Sequence, residues 1–265
     1  MNDQHFQVHQ IASTVRFIQG YRFLDKCGEA MVLLEGALDE GWIPRETTPK
    51  AGVMVNHQLG MNLEVNSSRM SVSQDEFIDF SYFRDQVCKI YDVIHRTFEI
   101  KTVNAPTLQV TYQRGFDDVA SAETCIEALG LCPPSPLVIQ ALGGHRSALS
   151  FTVCCEEDIT WRHTGVQLRT RLDVRSVRQE RQPRFDERLM QRTRLLPKLQ
   201  REAMLALARL REQHPGISPV AAQIELEYAH ETEINTREFD LPQFYSDAWV
   251  WQEGTVRQLL QQGGT

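Results

Sequence analysis

Apolar positions along the first 115 residues switch between two periods. Phe23, Cys27, Ala30, Met31, Leu34 and Leu38 recur at three and four, as on one face of a helix, and Gly41 ends the run. Leu59, Met61, Leu63 and Val65 then alternate with Gly60, Asn62, Glu64 and Asn66, the period of a half-buried strand. Asn66-Ser67-Ser68 is turn chemistry, and Met70 and Val72 resume the alternation, which predicts a hairpin. A strand over Thr14 to Ile18 precedes the first helix. A second helix follows the hairpin, with Ser81 placed to cap it and a stripe of Phe83, Val87, Ile90, Tyr91, Ile94 and Phe98. Leu108, Val110 and Tyr112 then alternate with Gln109, Thr111 and Gln113. The expected order over 14–116 is β-α-β-β-α-β, the ferredoxin-like arrangement, with helices 24–39 and 82–98 on one side of a four-stranded antiparallel sheet.

The second half reads differently. A short helix near Ser121–Leu129 stops at Gly130, and Cys132-Pro133-Pro134-Ser135-Pro136 can continue neither a helix nor a strand ladder. That break divides the chain into expected units 1–131 and 137–265. Leu149, Phe151, Val153 and Cys155 form one alternating run, and Val166, Leu168, Leu172 and Val174 form another. A helical block follows from about Phe185 to Gln213, bent at Pro197, with Leu199, Ala203, Leu207 and Leu210 on its inner face. Ile224, Leu226 and Tyr228 make a strand with Glu225 and Glu227 facing away, and a helix near Trp249–Gln262 closes the chain. The second half is therefore ββαβα, and the whole chain is α+β.

One feature of the first half goes beyond periodicity. A strand, a helix, a hairpin, a helix led by Phe80, Tyr82 and Phe83, and a strand containing Val110-Thr111-Tyr112 together resemble a sporadically distributed bacterial family of uncharacterised ferredoxin-like proteins. The resemblance covers 14–116. It implies architecture only, because it brings no catalytic motif and hence no residue role.

Composition narrows the classes. Hydrophobic residues at 42% and charged residues at 24% are ordinary globular usage, enough for a core. No run approaches the ~20 apolar residues that cross a bilayer. Met1-Asn2-Asp3-Gln4-His5 lacks the basic and apolar regions of a secretory signal, so the expected location is the cytoplasm, with no membrane partner. None of the six cysteines forms a C-x-x-C pair, which leaves them as structural thiols.

Charge is unevenly placed. Residues 1–159 carry a net of −9, residues 160–212 a net of +8 and residues 213–265 a net of −6. Arg169, Arg171 and Arg175 fall at even spacing on one strand face, and Arg178 and Arg181 continue the series within an arginine-rich block, 169–201. Guanidinium rows can fork onto phosphate oxygens, so these five are the candidate anion or nucleic-acid site. A second reading uses the acids. If the strand holding Glu225, Glu227 and Glu231 pairs with 166–177, the two rows neutralise each other as a cross-strand ladder, each pair worth roughly 0.2–1 kcal/mol. This reading is preferred, because the acids stand at the required period. A third reading makes Glu225 and Glu227 ligands for Mg²⁺ or Mn²⁺ in phosphoryl chemistry.

Other constellations are weaker. His5-x-x-x-His9 has helical ligand spacing without a third ligand, and Cys125, Cys132, His145, Cys154 and His163 match no zinc knuckle. Gly143-Gly144-His145-Arg146 is too short for a phosphate loop. Late aromatics Phe244, Tyr245, Trp249 and Trp251 are candidates for a partner interface, since tryptophan and tyrosine are enriched at interface hot spots. No catalytic residue, metal site or cofactor is assigned. The expected function is a non-enzymatic binding or assembly subunit of a bacterial intracellular complex. Its partner is a protein, with a second copy as one candidate. The alternatives are an RNA-binding ferredoxin-like subunit, like the repeat-RNA-binding proteins of CRISPR systems, and a metal-dependent phosphohydrolase.

Overall fold

The alternating runs become strands of one sheet within the described residues, the one expected at 59–65 starting only at Met61 because 57–60 form a turn. The computed structural model describes residues 6–17, 20–39, 41–48, 51–75, 77–130, 150–178 and 220–262. In chain order these form β1 (Gln7–Arg16), α1 (Gly20–Ala37), β2 (Trp42–Thr47), β3 (Gly52–Asn56), β4 (Met61–Val65), β5 (Arg69–Asp75), α2 (Phe80–Phe98) and β6 (Thr102–Phe116). There follow α3 (Val119–Ala128), β7 (Ser150–Trp161), β8 (Thr164–Arg178), β9 (Val220–His230), β10 (Ile234–Asn235) and α4 (Leu241–Gln262). The protein is α+β, built on a ten-stranded antiparallel sheet ordered β2-β3-β4-β5-β1-β6-β9-β8-β7, with β10 added to β6.

Residues 14–116 do not stop at the expected four strands. Two strands, β2 and β3, join the sheet beyond β4, and neither shows a clean alternation. Pro44 lies inside β2, which pairs on one side only and shifts register between Pro44 and Glu46. An edge strand tolerates a residue without an N–H, so the proline hid a strand that it does not break. Gly52-Val53-Met54-Val55-Asn56 of β3 is a short apolar run, whose type periodicity alone leaves open. On the other side, β6 pairs along Thr107–Phe116 with Val220–Ala229 of β9, so strands of both halves belong to one sheet. The helical block expected at 185–213 and the proline-rich boundary at 132–136 lie outside the described residues.

The register assigns each strand's faces. Ile11, Ser13 and Val15 of β1 share a face with Met70 and Val72 of β5, Leu108 and Val110 of β6, and Leu226 and Tyr228 of β9. All are buried, and α1, α2 and α4 cover them, with α2 between the other two helices. Close approach is visible at Gly52, where an added Cβ would stand 2.9 Å from both Sδ and Cε of Met31 on α1. Phe98 of α2 meets Phe17 and Phe23 edge-on at 6.4 and 5.7 Å. Asp39 ties the helices together, accepting from Gln86 Nε2 at 2.8 Å and Lys89 Nζ at 3.1 Å. Lys89 holds the Asp39 carboxyl below its ordinary pKa.

Helix starts follow capping chemistry. α2 begins two residues earlier than expected, because Asp79, not Ser81, is the extended cap and accepts from the Tyr82 amide at 2.8 Å. Similarly α4 starts at Leu241, eight residues before the expected Trp249. Asp240 Oδ1 accepts from the Gln243 amide at 3.0 Å, and Pro242 sits in the first turn, where its missing N–H is not needed.

The opposite face of the sheet is polar. Gln10, Ala12 and Thr14 of β1 stand beside Ser71, Ser73 and Asp75 of β5 and beside Gln109 and Thr111 of β6. The row continues into Glu225 and Glu227 of β9 and Arg171 and Asp173 of β8.

Candidate functional site

Three regions are candidates for a functional site: the arginine row of β8, the aromatic residues of α4, and a cleft lined by α2, the β7–β8 turn and the start of α4.

Antiparallel pairing of β8 with β9 sets Arg171 opposite Glu227 and Asp173 opposite Glu225 on the polar face. Side chains reach diagonally from there. Arg169 donates to Glu227 and to Glu231, each at 2.7 Å, and Arg175 reaches Glu225 at 3.4 Å. Arg171 turns along its own strand to Asp173 at 2.9 Å rather than across to a glutamate. The acids are the more buried partners, at 10–16% exposure for Asp173, Glu227 and Glu225, against 35–45% for the three guanidiniums. Burial works against the Arg169 charge, but Glu227 and Glu231 override it and its pKa stands above the ordinary value. The hydrogen bond to Asp173 raises that of Arg171. Arg178 ends β8 and its side chain lies outside the described residues, as does all of Arg181.

The same pairs occupy Glu225 and Glu227, the two carboxylates of the metal reading. Among the described residues no three of His, Cys, Asp and Glu converge as metal ligands, so Cys125, Cys154 and His163 do not meet. No described helix is long and apolar enough to cross a membrane.

The aromatic candidates separate by depth. Phe244 and Tyr245 are fully buried and belong to the core. Tyr245 hydrogen-bonds the Ser13 hydroxyl of β1, and burial drives its pKa upward. These two therefore have no surface to offer a partner, a correction to the interface expected of them. Trp249 and Trp251 are half-buried. Trp249 stacks on Phe80 at 4.3 Å and on Phe77 at 5.6 Å, joining α4 to the start of α2. Ile78 and Val250, the chain neighbours of Phe77 and Trp249, are 60% and 70% exposed. Trp251 tilts against Tyr228 of β9 at 5.7 Å.

Beside this cluster lies His230, fully buried with neither ring nitrogen hydrogen-bonded among the described residues. Trp161, Phe244 and Tyr228 surround it at 5.1, 4.8 and 5.6 Å. Burial pushes its pKa down to about 4, with Asp247 opposing. It is neutral at physiological pH.

The cleft has a volume of about 690 Å³, within the usual range for small-molecule sites. Its floor is Tyr91 of α2 with Phe239 from the segment leading into α4 and Leu241 at the start of that helix. Its walls are the β7–β8 turn, Arg162 and His163, and the loop residues Arg237 and Glu238. Arg162 forms an ion pair with Asp240, and Trp161 Nε1 donates to Asp247 at 2.9 Å, so the turn is fastened to α4 by its two flanks. Cys88 also lines the cleft, and burial pushes its thiol up to about 12, which keeps it protonated and non-nucleophilic. Sequence reasoning placed Tyr91 on a core stripe, left Cys88 as a structural thiol, weighed His163 only as a zinc ligand and passed over Arg162. The two alternating runs end at Cys155 and resume at Val166, so the two-residue turn between them carries no periodic signal, and it lacks the glycine or asparagine that marks a tight hairpin. No protein-family model matches the chain, and no curated protein matches its sequence.

Proposed function

We propose that this chain is a non-enzymatic binding subunit of a cytoplasmic protein assembly. One observation carries the reading: Ile78 and Val250, chain neighbours of the stacked Phe77 and Trp249, are large aliphatic side chains left mostly in water. Stacking fixes the tryptophan, and large apolar side chains held in water next to it in the chain mark a candidate protein-binding surface. The two alternative readings lose support from the ladder. RNA binding by β8 needs guanidiniums free to meet phosphate, and Arg169, Arg171 and Arg175 each hold a carboxylate. Phosphoryl chemistry needs Glu225 and Glu227 open to a cation, and arginines hold both. We also read β6-β1-β5-β4 with α1 and α2 as a ferredoxin-like unit into which the β2–β3 hairpin is inserted. The run of strand neighbours supports that reading.

The test is purification from the native host, with sedimentation analysis of the eluted species. Wild type is expected to carry a stoichiometric protein, or a second copy of itself, that the double variant Ile78→Asp, Val250→Asp loses at unchanged melting temperature. Exposed substitutions of this kind shift stability by only about 0.5 kcal/mol. A wild-type protein that elutes alone as a monomer overturns the proposal, as does a double variant that keeps the partner.

A further inference from the structure

We propose that the cleft between the β7–β8 turn, α2 and the start of α4 binds a small aromatic zwitterion of the α-amino-acid class. The cleft's construction is the first ground. The β7–β8 loop has two residues, Arg162 and His163, with φ of 48° and 74°. Both are in the left-handed region, which hairpin turns of this length reach with asparagine and glycine and which other side chains enter at a conformational cost. Two long, chemically capable side chains stand at these positions, and both line the cleft. The Arg162–Asp240 pair and the Trp161–Asp247 hydrogen bond hold the turn in place.

The chemistry of the lining is the second ground. Its acids and bases divide into engaged and unengaged groups. Asp240 holds Arg162 and caps α4, and Asp92 lies 3.5 Å from Arg96. The Arg237 guanidinium, the His163 ring and the Glu238 carboxylate make no hydrogen bond or ion pair with a described side chain, although the Arg237 and Glu238 amides both bond Asn235. A carboxylate on the ligand suits Arg237 and His163, and an ammonium suits Glu238. Beneath them, Tyr91, Phe239 and Leu241 line the floor and are each more than nine-tenths buried, presenting apolar edges, with Tyr91 stacked on His95 at 5.6 Å and edge-on to Phe239 at 6.2 Å. The Tyr91 hydroxyl is itself buried without a hydrogen-bond partner among the described residues. A buried phenol normally has a partner, so a missing one at a cleft floor points to a polar group supplied from outside. A planar apolar body with one positive and one negative group meets all three demands. It leaves fewer charges uncompensated than a simple anion or cation, because the unengaged groups carry both signs.

Isothermal titration of the full chain tests this with four probes: L-phenylalanine, phenylacetate, phenethylamine and glycine. L-Phenylalanine is expected to bind at least tenfold more tightly than each of the other three, which lack the ammonium, the carboxylate and the ring in turn. Arg237→Gln and Glu238→Gln, both at exposed positions, are each expected to weaken it at least fivefold at unchanged melting temperature. Tyr91→Phe is expected to weaken it by a smaller factor. No heat of binding for L-phenylalanine overturns the proposal. So does phenylacetate or phenethylamine binding as tightly as the amino acid, or full affinity in both charge variants.

Discussion

On the open face of β8 and β9, three arginines share four acids, Glu225, Glu227, Glu231 and Asp173. At the cleft, Arg237 and His163 stand beside Glu238 with no such pairing among the described residues. The first group is the conspicuous one in the sequence, a block of +8 in an acidic chain. The second contributes a single arginine to a stretch of net −6. Availability runs the other way. A charge reports a ligand only where the fold has not already supplied its counter-charge, and strand register supplies it to β8.

The largest expected break in this contrast is the triple variant Arg169→Gln, Arg171→Gln, Arg175→Gln. Each guanidinium is about a third or more exposed, so each pair alone falls short of the roughly 3–5 kcal/mol of a fully buried pair broken on one side. Together they leave three half-buried carboxylates and one buried one unpaired, and a loss of about 3–5 kcal/mol in urea unfolding is expected. A loss under about 1 kcal/mol would make them ordinary surface pairs. Submicromolar binding of single-stranded RNA by wild type at ~150 mM salt, with a log–log salt slope near −0.7 per phosphate, would return the row to phosphate recognition.

His230 is the intermediate case, a titratable group without a hydrogen-bond partner among the described residues, for which Asp247 offsets burial only in part. The unfolded chain takes up its proton near pH 6.5, whereas the folded chain resists until about pH 4. Stability is therefore complete above about pH 6.5 and falls as the pH drops toward 4, by on the order of 3 kcal/mol from this group. His230→Phe, which keeps the aromatic packing, is expected to remove that part of the acid limb while changing stability little at pH 8. An unchanged pH profile would mean that the ring does not titrate in this range.

The smallest effect sharpens the comparison most. Arg237→Gln is expected to leave the unfolding free energy within about 0.5 kcal/mol of wild type, as befits an exposed arginine whose charge the fold does not use. A loss like that of the ladder would show that its charge is structural after all, and the two regions would then be alike.

Much of this architecture is legible in the chain. Alternation at Met61–Val65, Leu108–Tyr112 and Ile224–Tyr228, and the 3.6-residue stripe through Ile90, follow from one buried face per element. The glutamate–arginine ladder is legible too, since Glu225, Glu227 and the arginines share the period of two. What sequence patterns conceal is of three kinds. β2 and β3 carry a proline and an unbroken apolar run instead of alternation. Phe244 and Tyr245 read as surface aromatics because α4 begins eight residues earlier than its apolar pattern, at a cap set by Asp240. The cleft gathers Tyr91, Arg162 and Arg237, and only tertiary contact between α2, the β7–β8 turn and the loop before α4 places them together.

The strand order also sets a timetable for synthesis. β1 leaves the ribosome first, yet its neighbours are β5 and β6, whose paired residues end at Asp75 and Gln113. β6 in turn waits for β9, where Leu108 pairs with Tyr228. At roughly 5–20 residues per second, the far edge of β6 stands open for about 5–20 s while the intervening chain is made. Contacts this distant in sequence also slow the final closure of the sheet. During that interval Val110 and Leu108, later at the centre of the core, are a nascent edge, and a chaperone that shields β6 until residue 229 has emerged would govern how much of the protein reaches its native state.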